Sequence, residues 1–202
     1  MNDFSKVING RTLEYYDSHH VYLVDGQLVP SITRLLKFKF PNKYGNVNKA
    51  VLKRASQKGT AVHNAIQAYC ETGEEADLKE VRNFKFLQDR YGFKVCENEL
   101  PVILFDDDKP IGAGRLDLIL FMDGKNGIAD IKRTFKLDKE YLAYQLNLYR
   151  IACMQSYGVS IDFLKGIHLR EDTRKFVDIP INETMTYELI NEFMAYQRSK
   201  SE

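Results

Sequence analysis

The chain has 202 residues, with 29 Lys or Arg against 28 Asp or Glu, a net charge of +1, and 44% hydrophobic and 28% charged residues. These are ordinary globular values for one substantial core, and they exclude a disordered chain or a low-complexity fibre. No run of about 18 apolar residues occurs, so no membrane span is expected; MNDFSKVING lacks the apolar stretch of a secretory signal, so the expected compartment is the cytoplasm.

In chain order, residues 12–30 read as a hairpin, with Tyr15, Tyr16, Val21, Tyr22 and Leu23 leading to an Asp25-Gly26 turn. Pro30-Ser31 opens a short helix through about Leu36, with Ser31 as its N-cap. A loop over 41–46 leads to a helix over 47–56 and a second over 58–72, whose Gly59, Val62, Ile66, Tyr69 and Cys70 share one face. His63 lies at the edge of that face, about 60° from Ile66, and Gly73 is the C-cap. A third helix, 76–91, is striped by Val81, Phe84, Leu87 and Tyr91.

From Gly26 to Cys70 there is no Asp or Glu, while eight cations stand there: Arg34, Lys37, Lys39, Lys43, Lys49, Lys53, Arg54 and Lys58. The rest of the chain keeps 21 of the 29 basic residues against all 28 acidic ones, a net of −7. One basic region on an acidic protein is an electrostatic footprint for a polyanion. The aromatics interleaved in 38-FKFPNKYG-45 suit a nucleic-acid groove; the plainer alternative is a solvated helical face. Cys70, Cys96 and Cys153 are far apart and form no CxxC pair, so reduced, buried thiols are expected, not zinc or an iron–sulfur cluster.

Strands follow at 93–105, 111–122 and 127–134, with turns at 106–108 and 123–127. The stretch 116-LDLILF-121 is apolar on both faces, as in a central, doubly covered strand. A helix at 140–157, strands at 161–170 and 174–180, and a closing helix at 183–198 complete an order of helices, then β-β-β-α-β-β-α. One mixed sheet with flanking helices follows, an α+β fold in a single domain.

The stretch 128-IADIKRTF-135 carries Asp130 and Lys132 inside an otherwise apolar strand. Two positions apart, they point to one side, about 7 Å from each other. Asp117 lies in the middle of the preceding strand, so pairing through the 123–127 turn brings the two acids to one bend or edge, and Glu99 stands on the strand before. Buried carboxylates need balancing charge: Lys132 balances one, and a hard divalent cation suits the rest. The structural alternative is an Asp130–Lys132 ion pair that fixes register. Gly112 and Gly114, just before the acid, mark a bulge or a close approach, with a DNA strand as one candidate neighbour. In the next helix Gln145 shares the packed direction of Leu142, Leu146, Tyr149 and Cys153, either as a satisfied core amide or reaching the site to hold a phosphate or water.

The pieces 59-GTAVHNAI-66, 97-ENELPV-102, 112-GAGRLDLI-119, 129-ADIK-132 and 145-QLNLY-149, in this order, resemble the PD-(D/E)XK nuclease superfamily, and within it the RecB-type and lambda-exonuclease-like branch of phage recombination and DNA-repair enzymes. The resemblance runs from Gly59 to Tyr149, and 22-YLVDGQLVPSITRLL-36 also looks like the start of phage proteins of this group. Leu116 stands where the superfamily's name has proline, and neither the cysteines of the iron–sulfur subgroup nor a helicase P-loop is present.

The resemblance implies a restriction-endonuclease-like αβββαβ core over 58–182, with an N-terminal hairpin and basic helical segment (1–57) and a C-terminal helix (183–202) added to it. It also implies roles. Asp117 is the central metal ligand, Asp130 the second, and Glu99 a supporting one with Glu97 as fallback. His63 is a further ligand to Mg²⁺ or Mn²⁺. Lys132 orients or deprotonates the attacking water. Gln145 and Tyr149 hold the DNA or order the site, and the basic segment with Arg115 contacts the backbone. The implied activity is a metal-dependent DNA exonuclease of phage or mobile-element recombination or repair, acting in the host cytoplasm on linear ends. A recombinase or single-strand-binding protein is the implied partner, and an oligomer an implied state, since lambda-type relatives form rings. The rival is a catalytically weak nucleic-acid-binding protein on the same fold.

Overall fold

The structure is a computed structural model and describes residues 3–43, 45 and 47–200. Its first unit is an antiparallel meander of β1 (Phe4–Ile8), β2 (Arg11–Tyr16), β3 (Val21–Val24) and β4 (Gln27–Val29). The expected single hairpin over 12–30 is thus three strands, with a fourth before them. β1 escapes a periodicity search because only Ile8 is fully buried: Phe4 is half-buried against Tyr15, and Ser5, Lys6 and Val7 are exposed on this edge strand. The β3–β4 turn is as expected: Asp25 and Gly26 both have positive φ, 51° and 74°, the requirement of a type I′ turn. The Asp25 carboxylate accepts the Thr12 N–H and the Arg11 guanidinium, each at 2.9 Å.

Helix α1 (Ile32–Lys39) buries Ile32, Leu35 and Leu36 and runs three residues past Leu36. Ser31 is at its N-cap, but the hydroxyl bonds Thr33 Oγ1 and makes no capping bond. Helix α2 (Lys49–Thr72) is continuous where the sequence reads as two helices. Gly59 weakens the helix there by about 1 kcal/mol without breaking its ladder. Gly73 closes it in the left-handed conformation, as expected. Helix α3 (Lys79–Tyr91) buries Val81, Phe84 and Leu87, whereas Tyr91, placed in the buried stripe by its spacing, is exposed and packs on the Phe176 ring at the last turn.

The second sheet has the order β5 (Lys94–Asp106), β6 (Lys109–Met122), β7 (Lys125–Lys132), β8 (Phe163–Arg170), β9 (Thr173–Ile179). Only β7–β8 is parallel, and helix α4 (Lys139–Tyr157) makes that crossover; α5 (Glu183–Ser199) closes the described chain. From α3 to β8 the order is α-β-β-β-α-β. One face of the sheet packs on α1, α4 and α5 through Leu104, Ile119, Ile128, Leu142, Leu146 and Phe193. The other packs on α2 and α3 through Val62, Ile66, Phe84, Leu118, Leu120 and Ile131. This two-sided cover is why 116–120 lacks alternation. The fold is α+β with one mixed and one antiparallel sheet, and no helix among the described residues is long and apolar enough to cross a membrane.

Candidate functional site

The β6–β7 ladder pairs residues from Met122↔Lys125 to Leu118↔Ala129 and then ends. Beyond that point the Asp117 carboxylate takes over a ladder bond: Oδ2 accepts the Ile131 N–H at 2.7 Å. The strands part here, and Asp117 stands at the fork. On its other side β5 pairs through Asn98↔Leu118 and Leu100↔Leu116, which sets Glu99 opposite Asp117. Glu99 has φ +48°, a left-handed backbone that a non-glycine adopts at a cost of about 1–3 kcal/mol, the kind of strain that concentrates at functional sites.

From the packed half of α2, His63 Nε2 donates to the Ile131 carbonyl at 2.9 Å. That bond fixes the ring and leaves Nδ1 facing Asp117 Oδ2 at 3.5 Å. Donor atoms of His63, Glu99 and Asp117 all lie within 4.8 Å of one another. Burial, and then the Asp117 charge, push the Glu99 carboxyl up, and Arg115 at 3.6 Å offsets only part of this. The His63 Nδ1 and the Glu99 and Asp117 carboxylate oxygens are converging donor atoms of the kind that could hold a hard cation. The residues present therefore fit a divalent ion.

Asp130 is 3% exposed. Its Oδ1 accepts from Gln145 Nε2 at 2.8 Å, and its Oδ2 lies 2.5 Å from Lys132 Nζ. Burial raises its pKa to about 6 despite the Lys132 charge. Burial alone would lower the Lys132 ammonium, but the Asp130 and Asp117 charges outweigh it and hold Lys132 above its ordinary value. The same-side placement of Asp130 and Lys132 is as expected; their meeting with Asp117, expected at a bend or edge of the sheet, occurs where β6 and β7 part, and all three line one cavity of about 330 Å³ with His63 and Glu99. The grouping is different, however. The closest donor set is His63, Glu99 and Asp117, while Asp130 faces Lys132 and Gln145. Glu97 is exposed and lies outside this cavity.

Gln145 is both a core amide and a site residue. Its Nε2 is satisfied by Asp130, while its buried Oε1 has no partner and the side chain lines the cavity. Tyr149 is buried against Gly114, where a Cβ would come within 3.0 Å of the phenol ring and hydroxyl. The Ala113 N–H donates to the Pro30 carbonyl at 3.0 Å, and that carbonyl lies 3.5 Å from where a Gly112 Cβ would be. The close neighbours of both glycines are thus the protein's own groups. Arg115 is drawn inward between Glu99 and the rings of Phe4 and Tyr15, yet it also lines the cavity.

The basic segment divides. Lys39 pairs with Glu192 and Lys43 with Asp138, each at 3.1 Å, and Lys43 also lies over the Tyr141 ring. Arg34, Lys37, Lys49, Lys53, Arg54 and Lys58 are exposed with no acidic partner among the described residues. The last four stand on the largely exposed first half of α2, ahead of Thr60 and His63, which line the cavity. The aromatic interleaving does not serve a groove. Phe38 packs on Phe193 and Tyr196, and Phe40 on Tyr141 and Tyr144, because the α1 stripe extends into 38–40; Tyr44 lies outside the described residues. Cys96, expected buried, is exposed, while Cys70 and Cys153 are pushed up to about 11 by burial.

Sequence reasoning does not find His20, Tyr22, Ser31, Thr33, Thr60 and Asn64, which complete the cavity wall. They come from the β2–β3 turn and β3, from the start of α1 and from the middle of α2; tertiary contacts such as the parallel bridge Ser31↔Ala113 and Arg115 against the Phe4 and Tyr15 rings bring the first sheet to β6.

No family model matches the chain, and no curated protein matches it. A solved structure described as "Crystal structure of SSO0001" is similar to it at a TM-score of 0.47 and 14% identity, over 85% of this chain and 77% of that one. A likeness at that level carries no argument about fold or chemistry.

Proposed function

We propose that this protein is a metal-dependent deoxyribonuclease of the PD-(D/E)XK type that hydrolyses phosphodiester bonds at the ends of linear DNA. The observation that carries this is the juxtaposition at the strand fork: His63, Glu99 and Asp117 within 4.8 Å of one another, beside the Asp130–Lys132 pair in the same cavity. His63, Glu99 and Asp117, with Asp130 behind them, are the groups that would hold Mg²⁺ or Mn²⁺. When bound, such an ion polarises the scissile phosphate and makes an adjacent water more acidic. Lys132, protonated and fixed by Asp130, stabilises the negative charge that develops on the phosphate and orients the attacking water. Gln145 holds Asp130 in place through its side-chain amide. The exposed first half of α2 guides the DNA backbone in through Lys49, Lys53, Arg54 and Lys58.

The biological setting proposed is phage or mobile-element recombination or repair in the cytoplasm, alongside a recombinase or a single-strand-binding protein. A second proposal, a DNA-binding protein with little catalysis, is favoured only by the exposed cations of α2. Linear and circular DNA incubated with Mg²⁺, Mn²⁺ or EDTA, beside Lys132→Ala, separate the two. Expected is metal-dependent loss of linear DNA alone, reduced about 10²–10³-fold in the variant. Gel retardation without cleavage in either metal would favour the binding protein, and nicking of circles would replace exonuclease by endonuclease.

A further inference from the structure

We infer that Phe135 and Arg170 form a stacking platform for an unpaired nucleobase close to the scissile phosphate, so that the preferred DNA end is single-stranded or frayed. The inference rests on the nuclease proposal and adds a substrate class to it. Phe135 is 88% exposed, more than any other large apolar side chain among the described residues. Burial of a phenylalanine ring is favourable, and this ring forgoes it.

The exposure does not come from a loose loop, for the two preceding residues are anchored. Arg133 Nε donates to Glu80 at 2.7 Å, and the Thr134 carbonyl accepts the His168 Nε2 proton at 2.7 Å. Arg170 is held as well: its carbonyl accepts the Asn83 amide at 2.8 Å, and its guanidinium carbon lies 5.1 Å from the centre of the Phe135 ring. With a cation close by and most of its surface open, the ring is presented as a stacking surface.

The place of this pair in the sheet ties it to the site. Lys132 on β7 is in register with His168 on β8, so the two side chains share a face. Arg170, two residues past His168, returns to that face. With strands about 4.8 Å apart and about 3.3 Å per residue, the Arg170 backbone lies roughly 8 Å from that of Lys132, two to three base steps along a strand. Lys136 and Lys139, one and four residues after Phe135, are exposed and without an acidic partner among the described residues, as phosphate contacts would be. A base inside a duplex is covered on both faces by its neighbours, whereas an unpaired one can turn its face to such a ring, and base–aromatic stacking is insensitive to sequence.

Fluorescence anisotropy of the full chain with a short single-stranded oligonucleotide in EDTA tests this without turnover. Phe135→Ala is expected to weaken binding by a factor of about 5–150, the equivalent of the stacking of one base. Phe135→Trp should restore it, and thermal melts of both should match the wild type because the position is exposed. In oligonucleotides with a single abasic site stepped along the strand, one or two positions should weaken wild-type binding by the same factor and leave Phe135→Ala unaffected. Equal binding of the intact oligonucleotide by wild type and Phe135→Ala, or abasic penalties identical in both, overturns the platform and leaves the nuclease proposal standing. If the wild type binds no single-stranded oligonucleotide at all, the platform falls, and the digestion of linear DNA in Mg²⁺ or Mn²⁺ decides the nuclease proposal by itself.

Discussion

At the scale of single residues, the site is a balance of buried charges. Asp130 has almost no access to water, and Lys132 is its counter-charge. Removing one member of a buried pair leaves the other uncompensated, at a cost of about 3–5 kcal/mol. The pKa of Asp130 is raised in the folded protein to about 6, so its contribution to stability is fully present below its unfolded value and is lost as pH rises through about 6. Lys132→Ala is therefore expected to destabilise the metal-free protein by about 3 kcal/mol at pH 8 and by clearly less at pH 5, where Asp130 accepts a proton. Urea denaturation in EDTA at the two pH values measures this; an equal loss at both would contradict the charge balance described. Gly114→Ala is expected to displace Tyr149, whose ring atoms lie 3.0 Å from the added methyl. A loss of about 1–3 kcal/mol in thermal or chemical stability is the measurable outcome.

At the scale of elements, α4 and α2 play different parts. Helix α4 begins at Asp138, whose carboxylate accepts the Tyr141 N–H at 3.1 Å and pairs with Lys43. Burial pushes this carboxyl up, but the Tyr141 N–H and the Lys43 ammonium together bring it below its ordinary value. Its contribution is thus present above the unfolded value and lost as pH falls through the folded one. Asp138→Ala should cost about 1 kcal/mol at neutral pH, with the deficit fading in acid, as read from denaturation midpoints. On α2, Lys53→Ala or Arg54→Ala should weaken DNA binding and lower the slope of log K against log salt by about 0.9 for each duplex phosphate no longer neutralised, while stability stays unchanged. The long elements were legible because their apolar spacing is strong: α3, α4 and β6 fall within a few residues of expectation. Phe38 and Phe40 misled because composition cannot tell a ring turned to α4 or α5 from one turned to a ligand. The edge strand β1 is missed because five residues with a single fully buried one, Ile8, are too short a run for a periodic signal.

At the scale of the whole molecule, the site exists because a sheet forks. β6 and β7 stay paired up to Leu118↔Ala129 and then separate around Asp117, β5 brings Glu99 opposite it, and α2 lowers His63 onto the gap. Asp117, Asp130 and Lys132 could be singled out from sequence because a charge in a buried strand demands a reason. His63 and Glu99 could not be placed by spacing alone: one depends on how α2 crosses the sheet, the other on a left-handed turn of the backbone at a single residue. The cavity wall from the first sheet was hidden for the same reason. His63, Glu99 and Asp117 are proposed to share one cation. Calorimetric titration of the metal-free protein with Mn²⁺ tests this most directly. One saturable site is expected in the wild type, lost or weakened at least about tenfold in Asp117→Asn and in His63→Ala, with both variants folded. Absence of saturable binding in the wild type, or equal affinity in Asp117→Asn, would contradict it.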